Sequence, residues 1–94
     1  MIIANRAAIS KFMKKHANSR ASLSAWVNLV EQSDWATPAH VKRDFSTASF
    51  LSDNKVVFNI GGNNFRIVVV IVYVNGILAV KWIGTHAEYD KKKF

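Results

Sequence analysis

The second half of the chain constrains the fold most strongly. Three segments rich in β-branched and aromatic residues, 56–60, 65–74 and 77–83, are separated by two short loops that contain glycine. Such residues favour extended backbone, and loops this short join antiparallel neighbours. Asn75-Gly76 is the clearest turn signal, because both residues tolerate the positive φ angles of a type I′ turn. The sequence therefore predicts an antiparallel meander.

The two loops also predict the register of the strands. A two-residue loop at Asn75-Gly76 places Arg66 opposite Thr85, and a four-residue loop places Asn59 opposite Arg66. Directly opposed residues share a face, and side chains alternate between faces. One face is then the predicted core, formed by Phe58, Ile60, Phe65, Ile67, Val69, Ile71, Leu78, Val80 and Trp82.

The opposite face combines positive charge with aliphatic side chains. It is predicted to contain Lys55, Val57, Asn59, Arg66, Val68, Val70, Val72, Lys81, Ile83 and Thr85, and no carboxylate. A face that only contacts solvent normally carries charges of both signs. We therefore expect this face to bind an anionic partner, or a partner that covers its valines.

The first half of the chain predicts helices that cover the core face. Apolar residues at helical spacing are Ala8, Ile9, Phe12 and Met13 in the first helix and Leu23, Trp26, Val27 and Val30 in the second. Asn5 is the predicted N-cap of the first helix, and Asn18 or Ser19 that of the second. Thr37-Pro38 predicts a third, short helix. A chain of 94 residues is expected to form one α+β domain over residues 1–94.

Charge and composition narrow the classes of partner. The formal net charge of +7 favours nucleic acid, an anionic membrane surface or an acidic protein, and the 12% aromatic content favours nucleic acid. The absence of cysteine excludes a disulfide framework and a cysteine-ligated zinc site. The longest apolar run has eight residues, whereas a membrane span needs ~18–20. Without a secretory signal either, the expected location is cytoplasmic.

Three residues have side chains suited to phosphate chemistry. Arg66 can hold a phosphate through two parallel donors, although a surface arginine lying over Val68 is the simpler interpretation. His86 and Tyr89 can transfer protons, although a histidine at a strand end is more often a packing residue. The predicted register places His86 on the core face, so it reaches Arg66 only if a bulge at Gly84 turns the strand over.

The sequence predicts no metal or cofactor. Glu88 and Asp90 have no further carboxylate near them in the chain, whereas two-metal nuclease sites need clustered acidic ligands. His16 and His40 form no ligand pattern with His86. The basic end of the chain, Lys91, Lys92 and Lys93, is either a solvated tail or a source of phosphate contacts without sequence preference.

Two segments together resemble one protein family. The first, VFNIGGNNFR, contains Asn59 and Arg66, and the second is THAEYD, residues 85–90. At this spacing they are similar to the HigB family of bacterial toxins, in the RelE-like superfamily of toxin–antitoxin endoribonucleases. The first half agrees through a short first strand, two helices, Asp34-Trp35 and Pro38, so the resemblance covers essentially the whole chain.

This resemblance implies a fold and a function. The RelE-like fold is a small twisted antiparallel sheet with two N-terminal helices packed on one face and RNA on the other. The implied activity is that of a type II toxin, a ribosome-dependent, metal-independent endoribonuclease that cleaves messenger RNA through attack of the ribose 2′-hydroxyl. The implied partners are messenger RNA, ribosomal RNA and a HigA-like helix-turn-helix antitoxin that binds operator DNA.

The resemblance also implies roles for individual residues. Arg66 matches the arginine that binds the scissile phosphate, and His86 and Tyr89 match positions with acid–base or base-stacking roles. Asn59 departs from the pattern, because other branches of the superfamily have a lysine there. The residues expected to bind RNA are Lys55, Asn59, Asn63, Lys81, Thr85, Lys91, Lys92 and Lys93.

Two other functions remain open on the sequence. A non-catalytic RNA-binding or ribosome-binding domain could use the same basic face. A protein-binding module could dock an acidic partner on the valines. Only an enzyme predicts that messenger cleavage is lost when Arg66 is replaced in a protein that remains folded.

Overall fold

The computed structural model describes residues 1–92, which form five strands and four α-helices. In chain order the elements are β1 (Ile2–Ala4), α1 (Arg6–Lys15), α2 (Arg20–Gln32), α3 (Pro38–Asp44), β2 (Ser49–Phe50), β3 (Lys55–Ile60), β4 (Phe65–Val72), β5 (Ile77–Thr85) and α4 (His86–Asp90). Short 3₁₀ turns precede α2 and join β4 to β5. The predicted α+β class is confirmed.

Four of the five strands form the predicted antiparallel sheet, and the fifth makes the sheet mixed. Its strand order is β1-β5-β4-β3-β2, and β1 is parallel to β5 while the other pairs are antiparallel. The β3–β4–β5 meander leaves the outer edge of β5 without a partner. A short strand at the start of the chain covers that edge, and a covered edge does not pair with other molecules.

All three helices begin at the predicted positions, but only one of the three N-cap residues forms a side-chain cap hydrogen bond. Asn5 makes no side-chain cap; it has φ 66° in the sharp turn from β1 to α1, and its Nδ2 donates to Val80 O at 3.0 Å. Asparagine tolerates this left-handed conformation better than most residues. Ser19 precedes α2 without capping it and donates to His16 O instead. Thr37 does cap α3, where it accepts from the backbone N–H of His40, and Pro38 begins that helix.

One hydrophobic core joins the helices to one face of the sheet. Residues of α1, α2 and α3 are buried with eight of the nine predicted sheet residues; these eight are Phe58, Ile60, Phe65, Ile67, Val69, Ile71, Leu78 and Val80. The ninth, Trp82, does not belong to the core. We call the sheet face opposite this core the outer face.

The turn between β4 and β5 is longer than predicted. Val72, rather than Val74, lies opposite Ile77, and the four residues 73–76 form the turn. Gly76 has the expected positive φ of 67°. Tyr73 is half-buried against the core, and this burial raises the pKa of its hydroxyl group. Tyr73 and Val74, expected at the end of the strand, therefore belong to the turn.

A β-bulge in β5 changes the second half of the predicted register. Val69 lies opposite Val80 and Val68 lies opposite Trp82, so Lys81 has no partner on β4. Since side chains alternate, one skipped residue moves everything after it to the other face. The bulge therefore lies at Lys81 and not at Gly84, the position that the sequence suggested for it.

Four residues near the bulge differ from the prediction in their face or in their pairing partner. Trp82 moves from the core to the outer face, and Ile83 moves from the outer face to pack against the core. Arg66 lies opposite Gly84 rather than Thr85, and Thr85 lies opposite Phe65. His86 follows the last pair of β4 and β5, Phe65 with Thr85, and does not lie opposite Phe65 as predicted.

Candidate active site

Arg66 lies at the start of β4 on the outer face, and its side chain is largely enclosed. Only 8% of the residue is exposed. Nη2 donates to Asn63 Oδ1 at 2.6 Å, and Nη1 donates to the carbonyl oxygens of Asn63 and Phe65 at 3.3 and 3.2 Å. All three acceptors are uncharged. Within residues 1–92 Arg66 forms no ion pair with a carboxylate, so its positive charge is not neutralised locally.

An enclosed charge of this kind is costly unless something compensates it. Removing a cation from water is unfavourable, and a protein usually offsets this with an anionic partner. The hydrogen bonds from Arg66 to the β3–β4 loop hold the guanidinium in place but supply no negative charge. The arrangement therefore fits a site that receives an anion, and a guanidinium fork suits phosphate.

Helix α4 begins directly where β5 ends. Thr85 forms a capping box: its hydroxyl accepts from the backbone N–H of Glu88 at 3.1 Å, and Glu88 Oε1 accepts from the Thr85 N–H at 2.8 Å. This reciprocal pair satisfies two backbone donors at the helix start. Thr85 was expected to bind RNA; the structure shows it fixing the position of α4.

His86 and Arg66 are held by consecutive residues of one loop. The backbone N–H of His86 donates to Asn64 O at 2.9 Å, next to the Asn63 that holds Arg66. The His86 Nε2 atom lies 3.6 Å from Asp90 Oδ2, while its Nδ1 is buried and has no hydrogen-bond partner within residues 1–92. The imidazole is 43% exposed overall. The loop thus brings both candidate residues to the same end of the sheet, although their side chains do not bond to each other.

The rings of Trp82 and Tyr89 form an aromatic cluster on the outer face, next to Gly84. The Trp82 ring lies across Gly84 so closely that a Cβ atom at position 84 would be 2.3 Å from both Cζ2 and Cη2 of the ring. The ring centroids of Trp82 and Tyr89 are 6.1 Å apart, and the two ring planes form an angle of 46°. Lys92 Nζ lies over the Trp82 ring, 5.7 Å from its centroid. Gly84 is thus required because any larger residue would overlap the indole ring, and it does not form a bulge.

The remaining residues expected to bind RNA are spread around this centre. Lys55 begins β3 and lies opposite Val70, and Asn59 lies opposite Arg66. Lys81 is exposed at the bulge, and Lys91 and Lys92 are exposed after α4. Asn63 is the acceptor for Arg66, as described above. Lys93 lies outside the described residues.

The outer face is not free of carboxylates as predicted. Glu88 Oε1 would lie 3.1 Å from a Cβ atom at Gly84, so this carboxylate borders the aromatic cluster. Its hydrogen bond from the Thr85 N–H is the main cause that holds the pKa of Glu88 below the usual value, with smaller contributions from the charges of His16 and Lys15. The end of α1 therefore lies close enough to α4 to affect its electrostatics.

The capping box should respond to acid in a defined direction. Because the folded-state pKa of Glu88 is below the unfolded value of 4.5, its stabilising contribution is complete above that value and is lost as pH falls through the folded pKa. We expect the Thr85 amide proton resonance to shift with a midpoint below 4.5, as measured by NMR. Glu88→Gln keeps an acceptor but does not titrate, so its Thr85 resonance should stay constant; an unchanged midpoint in that variant would contradict the assignment.

Trp82 is the site residue that sequence reasoning missed. The available signal was its spacing from Gly84, because residues two apart in a strand share a face and a glycine leaves room for a large ring. The signal could not be used because the predicted register assigned Trp82 to the core.

Neither a metal-binding cluster nor a membrane-spanning helix is found among the described residues. Among residues 1–92, no group of three histidine or acidic side chains is placed to hold a metal ion. No helix in the same range has both the length and the apolar character of a membrane span.

Comparison with known proteins gives a consistent result. The family model for HigB toxins, described as the RelE-like toxic component of a toxin–antitoxin system, matches residues 19–92. The mRNA interferase HigB of Escherichia coli O6:H1 strain CFT073 is 33% identical over 93 residues, which cover 97% of this chain and 90% of that protein. The mRNA interferase toxin HigB of Escherichia coli strain K12 is 25% identical over 96% of this chain and 88% of its own length.

Proposed function

Because this chain belongs to the HigB toxin family, the RelE-like toxic components of toxin–antitoxin systems, we propose that it arrests growth by cleaving messenger RNA on the ribosome without a metal ion. The coarser part of this function follows from the family and from relatives named mRNA interferases: the chain is an endoribonuclease toxin with an RNA substrate and an antitoxin partner. The observation that supports the finer part is the enclosed Arg66, which is positively charged and held only by uncharged acceptors.

The proposed reaction uses the nucleophile that RNA itself carries. The ribose 2′-hydroxyl attacks the adjacent phosphorus and loses its proton to a base, while the bond to the 5′-oxygen breaks and that oxygen receives a proton. The products are a 2′,3′-cyclic phosphate and a 5′-hydroxyl end. The enzyme needs to align the attacking oxygen, move two protons and stabilise the charge that develops on the phosphate.

Each of these tasks has a candidate residue at the site. Arg66 would bind the nonbridging phosphate oxygens, because its fork matches their geometry and its position is fixed by Asn63. His86 and Tyr89, both on α4, would transfer the protons. The Asp90 carboxylate, 3.6 Å from His86 Nε2, would orient the imidazole for this transfer.

The partners that we propose follow from the net charge of the chain and from its toxin family. Ribosomal RNA is a surface of phosphates, and a chain with net charge +7 is suited to dock on it without reading sequence. The proposed substrate is therefore messenger RNA in the ribosomal A site. The proposed antitoxin is a HigA-like helix-turn-helix protein that also binds operator DNA, and the proposed location of both proteins is the cytoplasm.

Expression in cells that lack the antitoxin tests the proposal. We expect growth arrest and messenger fragments with 5′-hydroxyl ends, detected as ends that become ligatable only after phosphorylation. Purified protein should cleave messenger on programmed ribosomes in the presence of EDTA, and cleave free messenger far more slowly. Co-expression of the helix-turn-helix antitoxin should restore growth.

Two outcomes would contradict the proposal in different ways. Intact transcripts during growth arrest would favour a non-catalytic ribosome-binding domain. Cleavage that stops on addition of EDTA and resumes with a divalent ion would retain the nuclease but reject the metal-independent mechanism.

A further inference from the structure

We propose that Trp82 is the stacking surface of a nucleobase-binding subsite beside Arg66, an inference that rests on the RNA-cleaving function proposed above. The subsite would take the base of a nucleotide adjoining the cleaved phosphate. It consists of the Trp82 indole, which Gly84 and Tyr89 hold in place, and of Lys92 above the ring.

The position of Trp82 relative to Arg66 is the first support. Arg66 lies opposite Gly84, and Trp82 lies opposite Val68, so Trp82 and Arg66 are diagonal neighbours on the outer face. Diagonal neighbours on one face of an antiparallel pair are roughly 7–8 Å apart, within reach of aromatic and long side chains. A nucleotide whose phosphate binds Arg66 can therefore place a neighbouring base over the indole.

The fixed orientation of the ring is the second support. The six-membered ring occupies the space that a side chain at position 84 would fill, and the Tyr89 ring lies against it at 6.1 Å. A ring held from two sides loses little freedom when a base stacks on it. Preorganisation of this kind makes an aromatic side chain an effective binding surface.

The contrast with the other tryptophans is the third support. Trp26 and Trp35 are buried in the core, with 3% and 2% exposure. Trp82 is only partly buried and stands outside that core, on the face that carries Arg66. Proteins that bind single strands place bases on aromatic rings flanked by positive charge, and Arg66 and Lys92 supply that charge here.

We expect stacking on Trp82 to strengthen RNA binding moderately and to a similar extent for every base. Stacking on an aromatic residue strengthens binding by roughly 5- to 150-fold per base, because every base has a π-face. Lys92 has a flexible stem and is exposed, so a base can displace it from the ring while its charge remains available for a phosphate.

Abasic substitution in the messenger tests the inference. Short synthetic messengers on programmed ribosomes would carry one abasic ribonucleotide at each A-site position in turn, and cleavage would be measured under single-turnover conditions. We expect one abasic position to slow the wild-type protein roughly 10-fold, within the range typical of one stacked base. Trp82→Ala should cleave the intact messenger as slowly as the wild-type protein cleaves the abasic one, and the abasic substitution should slow this variant no further. Trp82→Phe should retain most of the wild-type rate and most of the sensitivity to the abasic position.

A matched control and the contrary outcomes separate this inference from its premise. Phe50→Ala removes a partly exposed aromatic ring from the opposite edge of the sheet and should leave every rate unchanged. If Trp82→Ala slows all messengers equally but keeps the abasic sensitivity, Trp82 only anchors α4 and the subsite is rejected. Wild-type cleavage that ignores every abasic position also rejects the subsite but leaves the nuclease standing. No cleavage of any programmed messenger rejects both.

Discussion

Replacement of Arg66 by alanine is expected to lower messenger cleavage by about 10²–10³-fold and to abolish growth arrest. The guanidinium is the only candidate donor pair on the outer face of the described residues that is already fixed by hydrogen bonds, through Asn63 and Phe65. Alanine removes both the charge and the fork that would stabilise the developing negative charge on the phosphate. The measurement is the cleavage rate of a reporter messenger on purified ribosomes, with growth after induction as a second readout.

The fold should tolerate this change. Arg66 is enclosed and has no carboxylate partner among residues 1–92, so its removal eliminates a desolvated charge rather than breaking an ion pair. Arg66→Lys keeps the charge without the fork and should recover only part of the rate. Arg43→Ala removes an exposed arginine of α3 and should change neither growth arrest nor cleavage. A folded Arg66→Ala protein that still arrests growth would exclude the proposed phosphate role.

Gly84→Ala is expected to lower cleavage by about 10²-fold, because a small displacement of catalytic groups can have an effect of this size. The added methyl group would lie 2.3 Å from two atoms of the Trp82 ring, a separation that no real contact allows. The ring must therefore rotate away from the strand, and its contact with Tyr89 on α4 is lost. We also expect the free energy of unfolding to fall by about 1–3 kcal/mol, as is typical of overpacking.

Gly76→Ala is the matched control for this experiment. Gly76 lies in the β4–β5 turn with φ 67°, and a Cβ atom there would meet nothing within 4 Å. Its replacement should cost about 1–2 kcal/mol from backbone strain alone. The two variants should thus lose similar stability in urea unfolding, while only Gly84→Ala loses cleavage. Normal cleavage by Gly84→Ala would show that the position of Trp82 and α4 does not matter to the reaction.

Local sequence signals were sufficient for most of the architecture. The three β-rich segments, the helical periodicities and the Thr37-Pro38 helix start all depend on residues close together in the chain, and each appears in the structure. The register of β3 against β4 was also predictable, since a four-residue loop of glycine and asparagine fixed it and Asn59 does lie opposite Arg66. The position of Arg66 on the outer face therefore follows from the sequence alone.

The predictions failed where the result depended on contacts between distant residues. Tyr73 and Val74 leave the pairing of β4 with β5, so the turn is longer than Asn75-Gly76 alone predicts. The short first strand was expected from the family resemblance, but its parallel pairing with β5 joins two distant parts of the chain. Neither result follows from residues that are close together in the chain.

The sequence by itself determined an α+β fold, the two faces of the β3–β4 hairpin and the family to which the chain belongs. Only the tertiary structure decided that Lys81 is skipped in the pairing of β5, that Trp82 lies on the same face as Arg66 and that the first residue of α4 is hydrogen-bonded to the loop that also holds Arg66. The physical reason is the period of two in a strand. One unpaired residue reverses every side chain after it, and whether a residue is left unpaired depends on packing across the sheet rather than on its neighbours in the chain.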